Sequence, residues 1–421
     1  MRGMEKTKPI LYGVADYAEI RRANAWFIDR TAKIRDLEAM RYAMFLRPRV
    51  PRRRLLAVGR SMMKYSMRVL TSSLCAAFAA MCACAFAGGD GFPPPCDPVP
   101  VKKAVKVVRR EITVSIIGLA RPAFPGGGKT SVEACFRYWK AGMDKEICNK
   151  PDLIVLPEGV DSWKGANPAD KFEWVRKRGD LLLKEFQKYA REHRAYIVFN
   201  SYRQRKDGRF ANSSYMLDRD GDVVAVYDKV YPTPGEILWK ELPIVPGNGP
   251  VTADADFGRV GFVVCFDLNF RDLIEAYRRE KPDVICFSSA YHGDFWQRAW
   301  ALTCRSYFVG STLGELSKDV WGPSGEAIFH TQGYFKTGTV RINTNCRVCH
   351  LDDNWGALQQ ARAKYGQKVE VRNPGSVGCV TFLSNDPSVS VDKLIKEFGL
   401  ILWDDYYDRS VKLRGGAVTG R

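Results

Sequence analysis

At 421 residues, with 46% apolar and 12% aromatic content, the chain has the composition of a globular protein with a sizeable core. Its net charge of +18 suggests nucleic acid until it is located, because residues 1–68 hold 17 Lys/Arg against 6 Asp/Glu and leave only +7 for the rest. Charge gathered in one terminal stretch argues against a nucleic-acid surface on the folded part.

Residues 69–89 carry no charge, follow Lys64 and Arg68, and end in Ala85-Phe86-Ala87, a small-x-small pattern that a signal peptidase accepts. The run is rich in Ala, Cys and Ser rather than Leu, Ile and Val, so a signal peptide is the reading and an uncleaved anchor the alternative. A lipoprotein is the third option, but neither Cys82 nor Cys84 sits in a good lipobox. Residues 1–61 read as a basic extension or an upstream start-site artefact, because Met62, Met63 or Met67 would open a signal of ordinary length. The organisation expected is a signal over 62–87, a Gly/Pro linker over 88–107, one α/β domain over 108–350, and a C-terminal extension over 351–421. That extension, with Phe398, Leu400, Trp403, Tyr406 and Tyr407, is expected to pack on the domain or on a partner subunit. Nine cysteines follow the cleavage point; in an oxidising compartment some should pair, and an odd count leaves at least one thiol over.

The α/β reading comes from alternation along the chain. EITVSIIGLA (111–120) and DLIVLPEG (152–159) are short buried strands, with helical spacing over 130–147 between them. One long amphipathic helix is predicted from Lys171 to His193, with Phe172, Val175, Leu182, Phe186 and Tyr189 on its apolar face. A strand (195–200) and a hairpin turning at Asp218–Gly221 follow. GRVGFVVCF (258–266) is a strand, and 269–280 a helix with Asn269 as its predicted N-cap. Strand 283–289, helix 295–307, strand 308–313 and a hairpin at 322–328 complete the run.

Three residues close β-runs and carry chemistry. Cys265 ends GFVVC just before a helix, where backbone N–H groups can stabilise a thiolate and an oxyanion. Glu158 ends a strand of the kind that places sites at its carboxyl end. Lys229 ends a third strand. Singly, these are a core thiol, a surface Glu and a solvated Lys; together they are a base, a nucleophile and an oxyanion-stabilising cation.

With LPEG around Glu158, YDKVYPTPGE around Lys229 and GFVVCFDLNFRDL around Cys265, the sequence resembles the nitrilase superfamily of carbon–nitrogen hydrolases over roughly 110–410. Softer matches are KPDVICFSSAY, YFVGST and WGPSGEAI. The resemblance implies a four-layer αββα sandwich, a homodimer, a cysteine thioester intermediate and no metal or organic cofactor. It implies an oxyanion hole from Lys229 and the Phe266 backbone N–H, and a second glutamate, for which Glu236 and Glu241 both qualify. The Cys-Phe-Asp-Leu-Asn-Phe flank looks like the amidase branches, so a small amide or carbamoyl substrate is preferred over a nitrile. Trp163, Tyr291, His292 and Trp296 are candidates for the pocket wall, with core packing as the ordinary alternative. The different-class reading is an inactive exported binding protein on the same fold.

Three patterns compete. PGGGKT (125–130) lacks the glycine six residues before Lys129, so it reads as an ordinary loop rather than a phosphate cradle. Cys346-Arg-Val-Cys349-His350 spells a c-type haem site but reads as a disulfide or two thiols. His292 could pair with Cys265 as in a peptidase, leaving Glu158 only to orient it.

Overall fold

The computed structural model describes residues 110–123, 131–239, 244–372, 375 and 377–419. The expected extension, signal and linker (1–107), the PGGGKT loop and Glu241 lie outside them. Among the described residues no helix is long and apolar enough to cross a membrane.

The predicted strands form, and two sheets of six result. The first contains β1 (Glu111–Ile117), β2 (Leu153–Val155), β3 (Tyr196–Gln204), β4 (Phe210–Leu217), β5 (Val223–Asp228) and β12 (Thr337–Asn343), in the order β12-β1-β2-β3-β4-β5. The second contains β6 (Thr252–Ala255), β7 (Gly258–Val264), β8 (Val284–Ser289), β9 (Tyr307–Thr312), β10 (Asp319–Trp321) and β11 (Ala327–His330), in the order β11-β10-β9-β8-β7-β6. In each sheet a parallel trio, β1-β2-β3 and β7-β8-β9, makes the centre.

Side-chain alternation decides the layering. On β2, Leu153 and Val155 join the core between the sheets, whereas Ile154 joins a second core under α1 (Val132–Asp144), α2 (Pro168–Arg178) and α3 (Leu181–His193). The second sheet is covered by α5 (Arg271–Glu280) and α6 (Phe295–Cys304), through Leu273, Tyr277 and Trp300. The architecture is a four-layer αββα sandwich. Buried hydroxyls lock the two sheets: Ser288 Oγ donates to the Leu156 carbonyl at 2.8 Å and Ser311 Oγ to the Ile117 carbonyl at 2.9 Å.

Two local expectations fail for identifiable reasons. The helix predicted over 171–193 is two helices, broken at Gly179, whose φ of +48° and ψ of −128° no L-residue adopts readily. The break lets the buried Arg178 reach Asp161 at 2.7 Å and the Tyr202 carbonyl. The helix expected to cap at Asn269 starts at Arg271 instead. Asn269 belongs to a 3₁₀ turn, Cys265–Asn269, and its side chain donates to the Tyr291 hydroxyl at 2.9 Å and to the Phe266 carbonyl at 3.1 Å.

From Cys346 the chain builds a third sheet, β13-β15-β14 (Cys346–His350, Cys379–Ser384, Val369–Arg372), whose first strand ends at the expected 350 boundary. One face packs Cys349, Val380 and Phe382 under α7 (Trp355–Tyr365) and α8 (Val391–Phe398). The other face sends Cys346 and Leu383 into the main core, and Thr381 Oγ1 meets Ser324 Oγ at 2.8 Å. A last helix, α9, spans Trp403–Thr419. The eight cysteines among the described residues are free, so the expected pairing does not occur there. Cys346 and Cys349, three apart on one strand, face opposite sides of the sheet. His350 stacks on Tyr406 with ring centroids 3.6 Å apart.

Candidate active site

The carboxyl ends of the two sheets' central strands meet, and the site lies there. Glu158 stands three residues past β2, and Lys229 follows β5 directly. Two antiparallel steps, β3 to β4 and β4 to β5, return β5 to the direction of β2 and β3, so both residues leave the same edge. Cys265 follows β7 in the other sheet. Ala290, just past β8, donates its N–H to Glu158 Oε2 at 3.2 Å and so joins the two sheets at this point.

Lys229 is 1% exposed, Glu158 5% and Glu236 7%. Lys229 Nζ lies 3.0 Å from Glu158 Oε1 and 3.0 Å from Glu236 Oε2. An ammonium has three protons, and two carboxylates take two of them, which leaves one for a third acceptor. Asn212 Nδ2 bridges the same carboxylates, at 2.9 Å to Glu158 and 3.0 Å to Glu236. Asn200 orients Asn212 by donating to its Oδ1 at 2.9 Å, and its own Oδ1 accepts from the Gly159 N–H at 2.8 Å. Leaving one member of a buried ion pair uncompensated costs about 3–5 kcal/mol, so these groups are interdependent.

Of the two glutamate candidates, Glu236 lies among the described residues, and the local sequence places it by Lys229. Thr233 caps a single turn, α4 (Pro234–Ile237), and Glu236 closes a capping box in which the Thr233 N–H donates to its Oε2 at 2.8 Å. That bond turns the carboxylate toward Lys229.

Cys265 is half-buried and has a φ of +48°, a left-handed backbone that costs a non-glycine residue about 1–2 kcal/mol. The Glu158 carboxylate and the Ala290 N–H lie close enough to the thiol to act on it electrostatically. Burial, then the Glu158 charge, pushes the thiol up to about 12, so at neutral pH it rests protonated with its acceptor beside it. Burial alone would raise the Glu158 carboxyl as well; the Lys229 ammonium and the hydrogen bonds from Lys229 and Asn212 outweigh it and hold the group below its ordinary value. Lys229 is desolvated too, yet Glu158 and Glu236 raise it well above the usual lysine value. Phe266 is the second residue of the 3₁₀ turn, where backbone N–H groups lack an acceptor within the helix.

Sequence reasoning missed Asp267. It is wholly buried and ties the two loops together, accepting from Tyr227 Oη at 2.7 Å, the Tyr231 N–H at 2.7 Å and the Val264 N–H at 3.1 Å. It also missed Asn200 and Asn212, whose signal was available: asparagine is depleted in strands, and each stands inside or at the end of one.

The pocket-wall candidates divide. Tyr291 lies by the site, close enough for Cys265 and Lys229 to act on its phenol, and burial pushes that phenol up to about 12. His292 is held elsewhere: its Nε2 meets Asp319 Oδ2 at 2.7 Å and its Nδ1 accepts from the Asp294 N–H at 3.0 Å. With both ring nitrogens engaged, it is not the base for Cys265. Trp163 packs in the core beneath α1–α3, and Trp296 packs against the central core with an edge contact to Phe295 at 5.7 Å.

Residues 128–312 match the carbon–nitrogen hydrolase family. This part of the chain matches as a carbon–nitrogen hydrolase domain. Similar proteins include the omega-amidase NIT2 of Homo sapiens, 25% identical over 38% of this chain and 59% of the relative. A chloroplastic omega-amidase of Arabidopsis thaliana is 24% identical over 55% and 68%, and the hydrolase C26A3.11 of Schizosaccharomyces pombe 24% over 39% and 53%. The matches thus span between about half and two thirds of these relatives' lengths. Among solved structures, an amidase from Nesterenkonia sp. superposes with a TM-score of 0.48 at 15% identity, over 58% of this chain and 94% of that one.

Proposed function

We propose that the protein hydrolyses a non-peptide C–N bond of a small amide or carbamoyl compound through a thioester on Cys265. The observation that carries this reading is the buried cluster in which Lys229 Nζ lies 3.0 Å from Glu158 and the Glu158 charge acts on the Cys265 thiol. The family match, and relatives that are themselves named amidases, support amide over nitrile chemistry.

In the first half-reaction Glu158 takes the Sγ proton as sulfur attacks the carbonyl carbon. The oxyanion is met by the third Lys229 proton and the Phe266 N–H. The intermediate collapses as Glu158 returns the proton to the leaving nitrogen, and ammonia or an amine departs. In the second half Glu158 removes a proton from water, which attacks the thioester; the acid leaves and the thiol is reprotonated. Glu236 keeps Lys229 charged and aimed throughout.

The test is ammonia release from a panel of amides, carbamoyl compounds and nitriles, with intact-mass detection of an acyl adduct. Turnover on amides, an adduct on Cys265 and a loss of about 10⁴-fold or more in Cys265→Ala are expected. Equal turnover by Cys265→Ala would sink the thioester reading, and no turnover by the wild type across the panel would favour the inactive binding protein. Export through residues 62–87 and homodimer formation belong to the same proposal on sequence grounds. N-terminal sequencing of the purified protein and its mass in solution read them out.

A further inference from the structure

Two of the chain's four histidines meet on one buried carboxylate that the chemistry above leaves unused. Asp319 opens β10 and is 2% exposed. Because β10 runs antiparallel to β9, Asp319 lies toward the edge where β7, β8 and β9 end. Its Oδ2 is 2.7 Å from His292 Nε2; its Oδ1 is 2.7 Å from His330 Nδ1 and accepts from the Ser317 hydroxyl. His292 Nδ1 accepts from the Asp294 N–H at 3.0 Å, so the ring proton is on Nε2 and is donated to Asp319. The His292 carbonyl in turn accepts from Gln297 Nε2. Burial works against the Asp319 charge, but the bonds from His292, Ser317 and His330 outweigh it and hold the carboxyl below its ordinary value.

The segment gripped in this way does not hold itself. Gly293 has a φ of +79°, and Asp294 a φ of +41° with a ψ of −116°, which is strained for a residue with a side chain. Such backbone persists only where its surroundings enforce it. A Cβ on Gly293 would come within 2.1 Å of Leu268 Cδ2, so this turn presses on the 3₁₀ turn that begins at Cys265. At its other end the segment begins with Ala290, whose N–H is donated to Glu158 Oε2 at 3.2 Å. It thus reaches the base at one end and the nucleophile's turn at the other. A hydrogen bond to an ionised carboxylate favours the ionised form, so an N–H that drifts away makes the base harder to ionise.

We propose that Asp319 and His292 are positioning residues for the hydrolysis, a clamp that keeps the Ala290 N–H on Glu158 Oε2. The inference rests on the hydrolytic reading above and adds to it a support outside the Glu158 cluster. Asp319 grips the imidazole, the imidazole grips the Asp294 N–H, and the turn so fixed sets where Ala290 stands. Lys229 and Asn212 meet Glu158 from the other sheet and are untouched by the clamp.

The experiment follows kcat/KM against pH, on the amide turned over best, in the full-length protein and in His292→Ala, Asp319→Leu and His292→Gln. Glutamine sets an N–H where Nε2 stands and does not titrate. The acid limb should move up by about one pH unit in His292→Ala and in Asp319→Leu, which is about 10-fold in rate below the limb, and should stay near its wild-type place in His292→Gln. Two variants on different elements guard against the misfolding of either one. An acid limb unmoved in both, even with turnover reduced at every pH, overturns the clamp and leaves the hydrolytic reading intact. A His292→Gln profile that matches His292→Ala overturns it as well. If no amide turns over, the hydrolytic reading fails. Alkylation of Cys265 by iodoacetamide, located by peptide mass and followed against pH in the same proteins, then decides the clamp alone. An inflection that moves in His292→Ala and Asp319→Leu but not in His292→Gln supports it, and any other pattern overturns it.

Discussion

Asp267 shows how a single buried carboxylate can hold a site in register. Its three acceptor bonds connect the strand end that carries Lys229 to the turn that carries Cys265. Burial pushes its carboxyl up to about 6, from an ordinary 3.8, despite the Lys229 charge and those three bonds. A raised folded-state pKa contributes stability that is fully present below the unfolded value and is lost as pH rises through 6. Asp267→Asn presents an amide N–H to at least one of the donors and should cost about 1–3 kcal/mol. Because the asparagine does not titrate, that penalty should shrink between pH 5 and pH 7.5 as the wild type loses its advantage. Urea unfolding at the two pH values checks this; a penalty constant with pH would place the effect elsewhere. Cys265 belongs to the same scale. Its left-handed φ is strain held beside the cluster, where the Glu158 charge acts on the thiol.

Among the elements, the break at Gly179 is the informative one. The apolar spacing over 171–193 runs on as though one helix were present, and Phe172, Val175, Leu182, Phe186 and Tyr189 are all buried as that spacing predicts. Periodicity reports which faces are apolar; it does not report that Arg178 must turn inward to neutralise Asp161. Gly179→Ala keeps the pattern but forbids the ψ of −128° at positive φ, and should cost about 1–3 kcal/mol in equilibrium unfolding. A stability within about 0.5 kcal/mol of wild type would mean that the helix can continue through this point.

For the whole molecule, the third sheet is the feature the sequence reading left undivided. Its inner face contributes Cys346 and Leu383 to the central core, so β13 to β15 complete the second sheet's surroundings and do not form a free appendage. A chain ending at Asn345 should expose that contact and be recovered as aggregate. Limited proteolysis of the full chain should release no stable fragment spanning 346–419. A soluble, monodisperse truncation would show that the third sheet is dispensable for the fold.

The sequence by itself determined the strand and helix alternation, because period-2 and period-3.6 apolar patterns are local and survive without knowledge of partners. It also determined which glutamate, lysine and cysteine end β-runs, and it brought Glu236 within reach through the local Thr-Pro-Gly-Glu cap. Tertiary structure alone decided how those ends meet. The Glu158 charge acts on Cys265 across 107 positions, and Ala290 bonds Glu158 across 132, along a contact between two sheets that no local pattern encodes. The same holds for the thiol on which the sequence reading turned. A core cysteine and a nucleophile look alike along the chain, and the difference lies in a carboxylate supplied by the other sheet.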